Sequence, residues 1–120
     1  MSALITISSK DQLQQELMSC TVAVMDFYAD WCGPCRMVAP IMEELQEDNQ
    51  AKDVKVMKVN VDENPDLADE YGVSSIPSVF FAQQGKVQEG VLGAYPKDFY
   101  QKKIDEYVED SRKKEKDSRS

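Results

Sequence analysis

From Thr21 to Ala29 the chain is almost continuously apolar and rich in β-forming residues, and Asp26 is the one charge that interrupts the core of the run. A strand without polar alternation has both faces buried, and a sheet is buried on both faces when helices cover it. This segment therefore predicts a central strand in an α/β domain built as one mixed sheet with helices on both faces. The residues that follow agree. Val38, Ile41, Met42 and Leu45 recur at i, i+3, i+4 and i+7 opposite Glu43, Glu44 and Glu47, the period of an amphipathic helix. Pro40 lies inside it, where the ring removes a backbone donor and crowds the preceding turn, so a kink is expected.

Upstream, Ser8 or Ser9 can cap a helix starting near Lys10, with Gln12 positioned to complete a capping box and Leu13, Leu17 and Met18 on one face. Downstream, Val54, Val56, Val59 and Val61 mark a second buried strand, and Asn64-Pro65 offers a cap and first-turn proline for a short helix that Gly72 can end. Ser78 to Ala82 and Lys86 to Leu92 read as an antiparallel hairpin joined by Gln83-Gln84-Gly85. Pro96 opens a last helix bearing Tyr100, Ile104, Tyr107 and Val108. No apolar residue occurs after Val108, so the domain is expected to span 1–108 and the charged segment 109–120 to be a frayed or disordered tail.

With 120 residues, 42% of them apolar, the chain can bury one core and has little left for a second. Its 22 acids against 14 bases leave a net charge of -8, which repels phosphate backbones and anionic lipid. The basic run Arg112-Lys113-Lys114 is interleaved with acids and reads as solvated tail. The first ten residues show no cationic leader followed by an apolar run, and no stretch is long enough to span a bilayer; a cytoplasmic protein is expected.

Cys32-Gly33-Pro34-Cys35 joins the central strand to the helix, and that context gives the spacing its chemistry. Unpaired backbone N–H groups at a helix start stabilise an anion, so Cys32 at the tip is expected to be the attacking thiolate and Cys35, one turn inward, the shielded one. Gly33 lets the turn pass closely, and Pro34 costs no hydrogen bond in a first turn. The implied reaction is attack of Cys32 on a protein disulfide, followed by attack of Cys35 on the mixed disulfide. A zinc site would need four ligands, but the chain has no histidine and only Cys20 beyond the pair; c-type haem would need His at position 36, which is Arg. No metal is expected, and Cys20 reads as a buried thiol.

A carboxylate inside an apolar strand is costly unless neutralised or paired, so Asp26 should have a raised pKa and can accept a proton from Cys35, directly or through a water. Lys58 is its natural partner from the next strand; a purely structural Asp26–Lys58 pair is the other reading of both. Ile76-Pro77 can be cis or an ordinary strand-start proline. Trp31, Leu92 and Gly93 can likewise be core or turn residues.

In order, the residues Asp26 to Cys35 (Asp-Phe-Tyr-Ala-Asp-Trp-Cys-Gly-Pro-Cys), Pro40, Lys58-Val59-Asn60-Val61-Asp62, Ile76-Pro77 and Gly93 resemble the thioredoxin family, from about residue 5 to 108. The resemblance implies a protein disulfide reductase with a cis Pro77 packed opposite the cysteines, which keeps metal ions away and leaves the Ile76 backbone free to pair with an extended substrate segment. Trp31, Gly33, Pro34, Ile76, Leu92 and Gly93 would form a flat apolar docking surface around Cys32. It further implies no bound cofactor, electrons from NADPH through thioredoxin reductase, disulfide-containing proteins as substrates, and a monomer. Ser78 stands where the family usually has Thr, and Ser75 precedes Ile76; neither removes a group the chemistry needs. Two other functions share these motifs: a disulfide oxidase or isomerase, whose relatives often carry a histidine between the cysteines, and a binding subunit that never turns over.

Overall fold

The computed structural model describes residues 4–119. Strands β1 (Ile5–Ile7), β2 (Val22–Tyr28), β3 (Val54–Asn60), β4 (Ser78–Gln83) and β5 (Lys86–Leu92) alternate with helices α1 (Lys10–Met18), α2 (Gly33–Asn49), α3 (Pro65–Glu70) and α4 (Lys97–Arg119). The sheet order is β1-β3-β2-β4-β5. The pairs β1–β3 and β3–β2 are parallel, and β2–β4 and β4–β5 are antiparallel. The α/β sheet with helices on both faces is thus as the sequence predicts, with β1 added, a strand too short for any periodicity to announce.

The parity of β2 sorts the core into two layers. Val22 and Val24 pack with Val38, Met42 and Leu45 of α2 and Tyr100, Ile104 and Val108 of α4. Ala23, Met25 and Phe27 face the other way, onto Leu13 and Leu17 of α1 and Leu67 of α3. Each fully buried Val, Leu, Ile, Met or Phe among them contributes roughly 1.5–3 kcal/mol. Asp26 is in phase with Val22 and Val24, so its carboxyl is directed at the α2 layer, and in register with it on β3 stands Lys58. The same alternation that buries the strand thereby brings a carboxyl behind the start of α2.

Local expectations are met with changes of detail. Ser9 caps α1 and accepts from the Gln12 N–H at 3.1 Å, while the Gln12 side chain takes the N–H of Ser8, not that of Ser9. Asn64 stands at the N-cap of α3, but its side chain donates to the carbonyls of Ile7 and Asn60 instead of capping. The hairpin loop shortens to Gln84-Gly85, both at positive φ (51° and 84°), because Gln83 extends β4. Two such residues form the turn whose twist matches the strands, and glycine takes that conformation without strain.

The largest departure is at the C-terminus. Where a disordered tail was expected from Glu109, α4 runs on to Arg119. Apolar content was the wrong measure, because polar contacts hold this segment. The Gln83 side chain, buried at the end of β4, donates to the Tyr107 carbonyl at 3.1 Å and to Asp110 Oδ2 at 2.7 Å, and accepts from Lys114 Nζ at 3.1 Å. Asp110 and Lys114 also pair one turn apart, Ser111 is buried, and the basic residues fall near the negative end of the helix dipole. Extending an existing helix avoids the nucleation cost that an isolated segment would meet. Deleting residues 109–120 is therefore expected to lower stability by about 1–2 kcal/mol, since it strips a buried amide of two partners. A denaturant midpoint unchanged from the full chain would contradict this.

Candidate active site

Helix α2 begins at Gly33, which makes Cys32 its N-cap; the Cys35 N–H points at Cys32 Sγ at 3.2 Å. Cys32 and Cys35 are joined as a disulfide. Both are equally buried, at 4% exposure, so accessibility separates them less than the sequence suggested. Their difference lies in position, since one terminates the helix and the other is inside its first turn. Pro34 is within that first turn, where its missing N–H leaves no gap. The reading of Gly33 needs correction: a Cβ there would meet nothing within 4 Å. No close passage within the chain requires glycine at 33, which leaves open space above the cysteines.

Around the pair, Ala29, Tyr28, Val61 and Ile76 supply the apolar contacts. The Ile76–Pro77 bond is cis. The Pro77 carbonyl accepts from the Gly93 N–H at 2.8 Å, which ties the loop after β5 to the start of β4; Gly93 meets this geometry at φ 102°, a region glycine favours. Leu92 and Trp31 remain exposed, at 58% and 69%. So Trp31, Gly33, Pro34, Ile76, Pro77, Leu92 and Gly93 come from three separated segments, one of which carries the cysteines.

Trp31 is not held by packing. Its indole N–H donates to Asp62 Oδ2 at 2.9 Å. Beside it, Val61, Val73, Ser74, Ser75 and Ile76 complete a groove of about 350 Å³. Nothing in the sequence around Asp62 assigns it a role; the contact with Trp31 does. Nothing in the local pattern of Val73-Ser74-Ser75 marks it as groove lining.

Behind the disulfide, Asp26 is 3% exposed and its Oδ1 has no hydrogen-bond partner. Burial pushes its pKa up to about 7, and the positive charge of Lys58 opposes that rise without cancelling it. Asp26, Lys58 and Cys35 all line one cavity of about 80 Å³, together with Leu4, Tyr28, Ala39 and Glu43. Three of the catalytic candidates named from the sequence thus meet in one space. Cys20 is elsewhere, buried after α1, with its thiol donating to the Glu16 carbonyl and burial raising its pKa to about 11. That keeps it a protonated, unreactive thiol.

Among the described residues no group of three or more His, Cys, Asp or Glu could hold a metal ion, and no helix is long and apolar enough to cross a membrane.

Comparison with known proteins agrees with this geometry. The thioredoxin family model matches residues 4–106. The thioredoxin of Chlorobaculum thiosulfatiphilum is 45% identical over 96 residues, 79% of this chain and 88% of the relative. Thioredoxin 2 of Chlorobaculum tepidum is 43% identical over 102 residues, 84% and 93% of the two chains. Among solved structures, the thioredoxin of Malassezia sympodialis matches with a TM-score of 0.80 at 34% identity, covering 90% of this chain and 93% of that one. A single-residue variant of the Halobacterium salinarum thioredoxin matches with a TM-score of 0.82 at 34% identity, covering 90% and 96%. With its cysteine pair at a helix start, its sheet and these relatives in agreement, the chain belongs to the thioredoxin family and is a thiol–disulfide oxidoreductase that reduces protein disulfides.

Proposed function

We propose that Cys32 is the attacking sulfur, Cys35 the resolving one, Asp26 the proton acceptor for Cys35, and Lys58 the charge that tunes Asp26. The observation that carries this reading is Cys32 at the N-cap of α2 with the Cys35 N–H directed at its sulfur. In the dithiol, that N–H and the positive end of the helix favour a thiolate on Cys32. It attacks one sulfur of the substrate disulfide and expels the other as a thiolate. Cys35, its proton passed to Asp26, then attacks Cys32 Sγ; the bond from Cys32 to substrate breaks and the second substrate sulfur leaves with the electron pair. Two electrons have moved to the substrate, and the Cys32–Cys35 disulfide is the product. Trp31, Gly33, Pro34, Ile76, Pro77, Leu92 and Gly93 receive the substrate around the reacting sulfur.

The disulfide returns to dithiol with electrons from NADPH through thioredoxin reductase. The chain itself binds no cofactor for this, since sulfur carries both electrons. It acts as a monomer, each copy holding both sulfurs, in the cytoplasm, a compartment that keeps thiols reduced. The deciding experiment equilibrates the protein with defined glutathione mixtures and counts free thiols. Thioredoxins as a class lie near about -270 mV and disulfide isomerases near about -180 mV. A value near the first, with turnover of a protein disulfide by NADPH and reductase, is expected. A value near the second would reassign the chain to oxidation or isomerisation, and a Cys32→Ser, Cys35→Ser double variant that kept its biological role would make it a binding subunit.

A further inference from the structure

The cavity behind the disulfide contains one acidic residue that the mechanism above does not use. Glu43 lines it from α2, two turns beyond Cys35, and is exposed where Asp26 is buried, so the two carboxyl groups stand at the open and closed ends of one space. At about 80 Å³ the space is roomy enough for water by the volume each molecule takes in the liquid, with Asp26, Glu43 and Lys58 as polar partners in an otherwise largely apolar lining. Asp26 Oδ1, buried and without a partner, is the group such water would reach.

Lys58 is the cationic side chain of the cavity, half-buried and in register with Asp26 across β2 and β3. Its ammonium has two anions to choose between. Desolvation favours a water-exposed position, and Glu43 offers a partner there at no burial cost, whereas approach to Asp26 takes the ammonium inward. The groups facing Asp26 are Lys58 from β3, Cys35 and Glu43 from α2, Tyr28 from β2 itself, and the Tyr100 hydroxyl from α4, whose ionisation the charge of Asp26 opposes. Of these only Lys58 is cationic, so whatever draws it away from Asp26 decides how readily that carboxyl keeps a proton.

We propose that Glu43 is a positioning residue for proton transfer in the second half-reaction: from the mouth of the cavity its carboxylate competes with Asp26 for the Lys58 ammonium and so sets the pH at which Asp26 takes the proton of Cys35. The proposal rests on Asp26 acting as base for Cys35. The proton leaves Cys35 Sγ, crosses the cavity to Asp26, and the thiolate left behind makes the new bond to Cys32 Sγ as the substrate sulfur departs with its electron pair. Glu43 itself never takes the proton. Its carboxylate acts through Lys58, holding back the cation whose charge lowers the Asp26 pKa.

The test is Glu43→Gln in the full chain, with Glu44→Gln as control. Glu44 is an exposed neighbour on the same helix that pairs with Lys97 and does not line the cavity. Asp26 is followed in the reduced protein by carbon NMR of its carboxyl across the pH range, and release of substrate from a preformed mixed disulfide is timed over the same range. Expected for Glu43→Gln is a downward move of the Asp26 midpoint by about half a unit and an equal move of the rate profile, with neither in the control. In a Lys58→Met background, where there is no ammonium to compete for, the response to Glu43→Gln should shrink by half or more. An Asp26 midpoint that does not respond to Glu43→Gln, or a response undiminished without Lys58, overturns the competition. If the midpoint moves while the rate profile stays in place, what fails is the assignment of Asp26 as base, and the proposal fails with it.

Discussion

Cys35→Ser is expected to lower steady-state disulfide reduction by at least about 10³-fold while leaving the first attack intact, so that the protein accumulates covalently bound to its substrate through Cys32. The reason is geometric. Cys32 and Cys35 are three residues apart on one helical turn with their Cα atoms 5.3 Å apart, so the second sulfur is always beside the first. Well-oriented intramolecular reactions reach effective concentrations of roughly 10⁵–10⁸ M, far above any external thiol that would have to replace Cys35. Serine matches the shape of the side chain but its hydroxyl is not ionised at neutral pH and does not resolve the mixed disulfide. The adduct would be seen by mass spectrometry and on non-reducing gels, and Cys32→Ser should yield none. Turnover within tenfold of the parent, with no adduct, would reverse the roles assigned to the two sulfurs.

Asp26→Ala is expected to stabilise the fold at pH 8 by about 2–4 kcal/mol and to leave it little changed, or slightly less stable, near pH 4. Burial raises the native pKa of Asp26 from 3.8 to about 7. Between those values the native state holds a proton that the unfolded chain has lost, so stability falls as pH rises, by about 1.4 kcal/mol per unit. This amounts to roughly 4 kcal/mol lost by pH 8 and none lost below the unfolded value. Alanine removes that loss, less the cost of a small cavity, of order 1 kcal/mol. Urea titrations of both proteins from pH 4 to 8 would measure it, and a constant difference across that range would show that Asp26 carries no buried proton. The same substitution should slow release from the mixed disulfide by at least about tenfold above pH 7, where Asp26 is an available base, and have little effect well below it.

These two outcomes pull in opposite directions, which is the sense in which Asp26 is a functional residue. It costs stability in the pH range where the protein works, and the apolar layer around it, Val22 and Val24 on its own strand and Val38 on α2, makes that cost large. A carboxyl placed on the solvent side of β5 would cost nothing and could not keep a proton near neutral pH.

Much of this was legible in residue order. The buried strand, the helix starting at Cys32, the anomalous charge at Asp26 and the proline at 77 all announce themselves through patterns a few residues long. The helix from Gly33 to Asn49 follows from its 3.6-residue period in spite of Pro40. The misses share a cause. Gln83 has the local pattern of a turn residue, yet it is only 4% exposed and holds the extension of α4, a segment whose lack of apolar residues reads as a tail. Ile5–Ile7 is too short to show alternation, and Asn64 directs its amide at β1 carbonyl oxygen instead of its own helix.

What the sequence determined by itself was the set of elements and the chemistry at the strand-to-helix junction, because both depend on neighbours along the chain: side-chain period, capping position and the spacing of two sulfurs. Only the tertiary structure decided that β3 lies between β1 and β2. That order brings Lys58 beside Asp26, sets Asp62 under Trp31, and closes a cavity that Glu43 shares with Cys35. Such contacts join segments tens of residues apart, and their energies come from burial and charge in three dimensions, to which no local pattern corresponds.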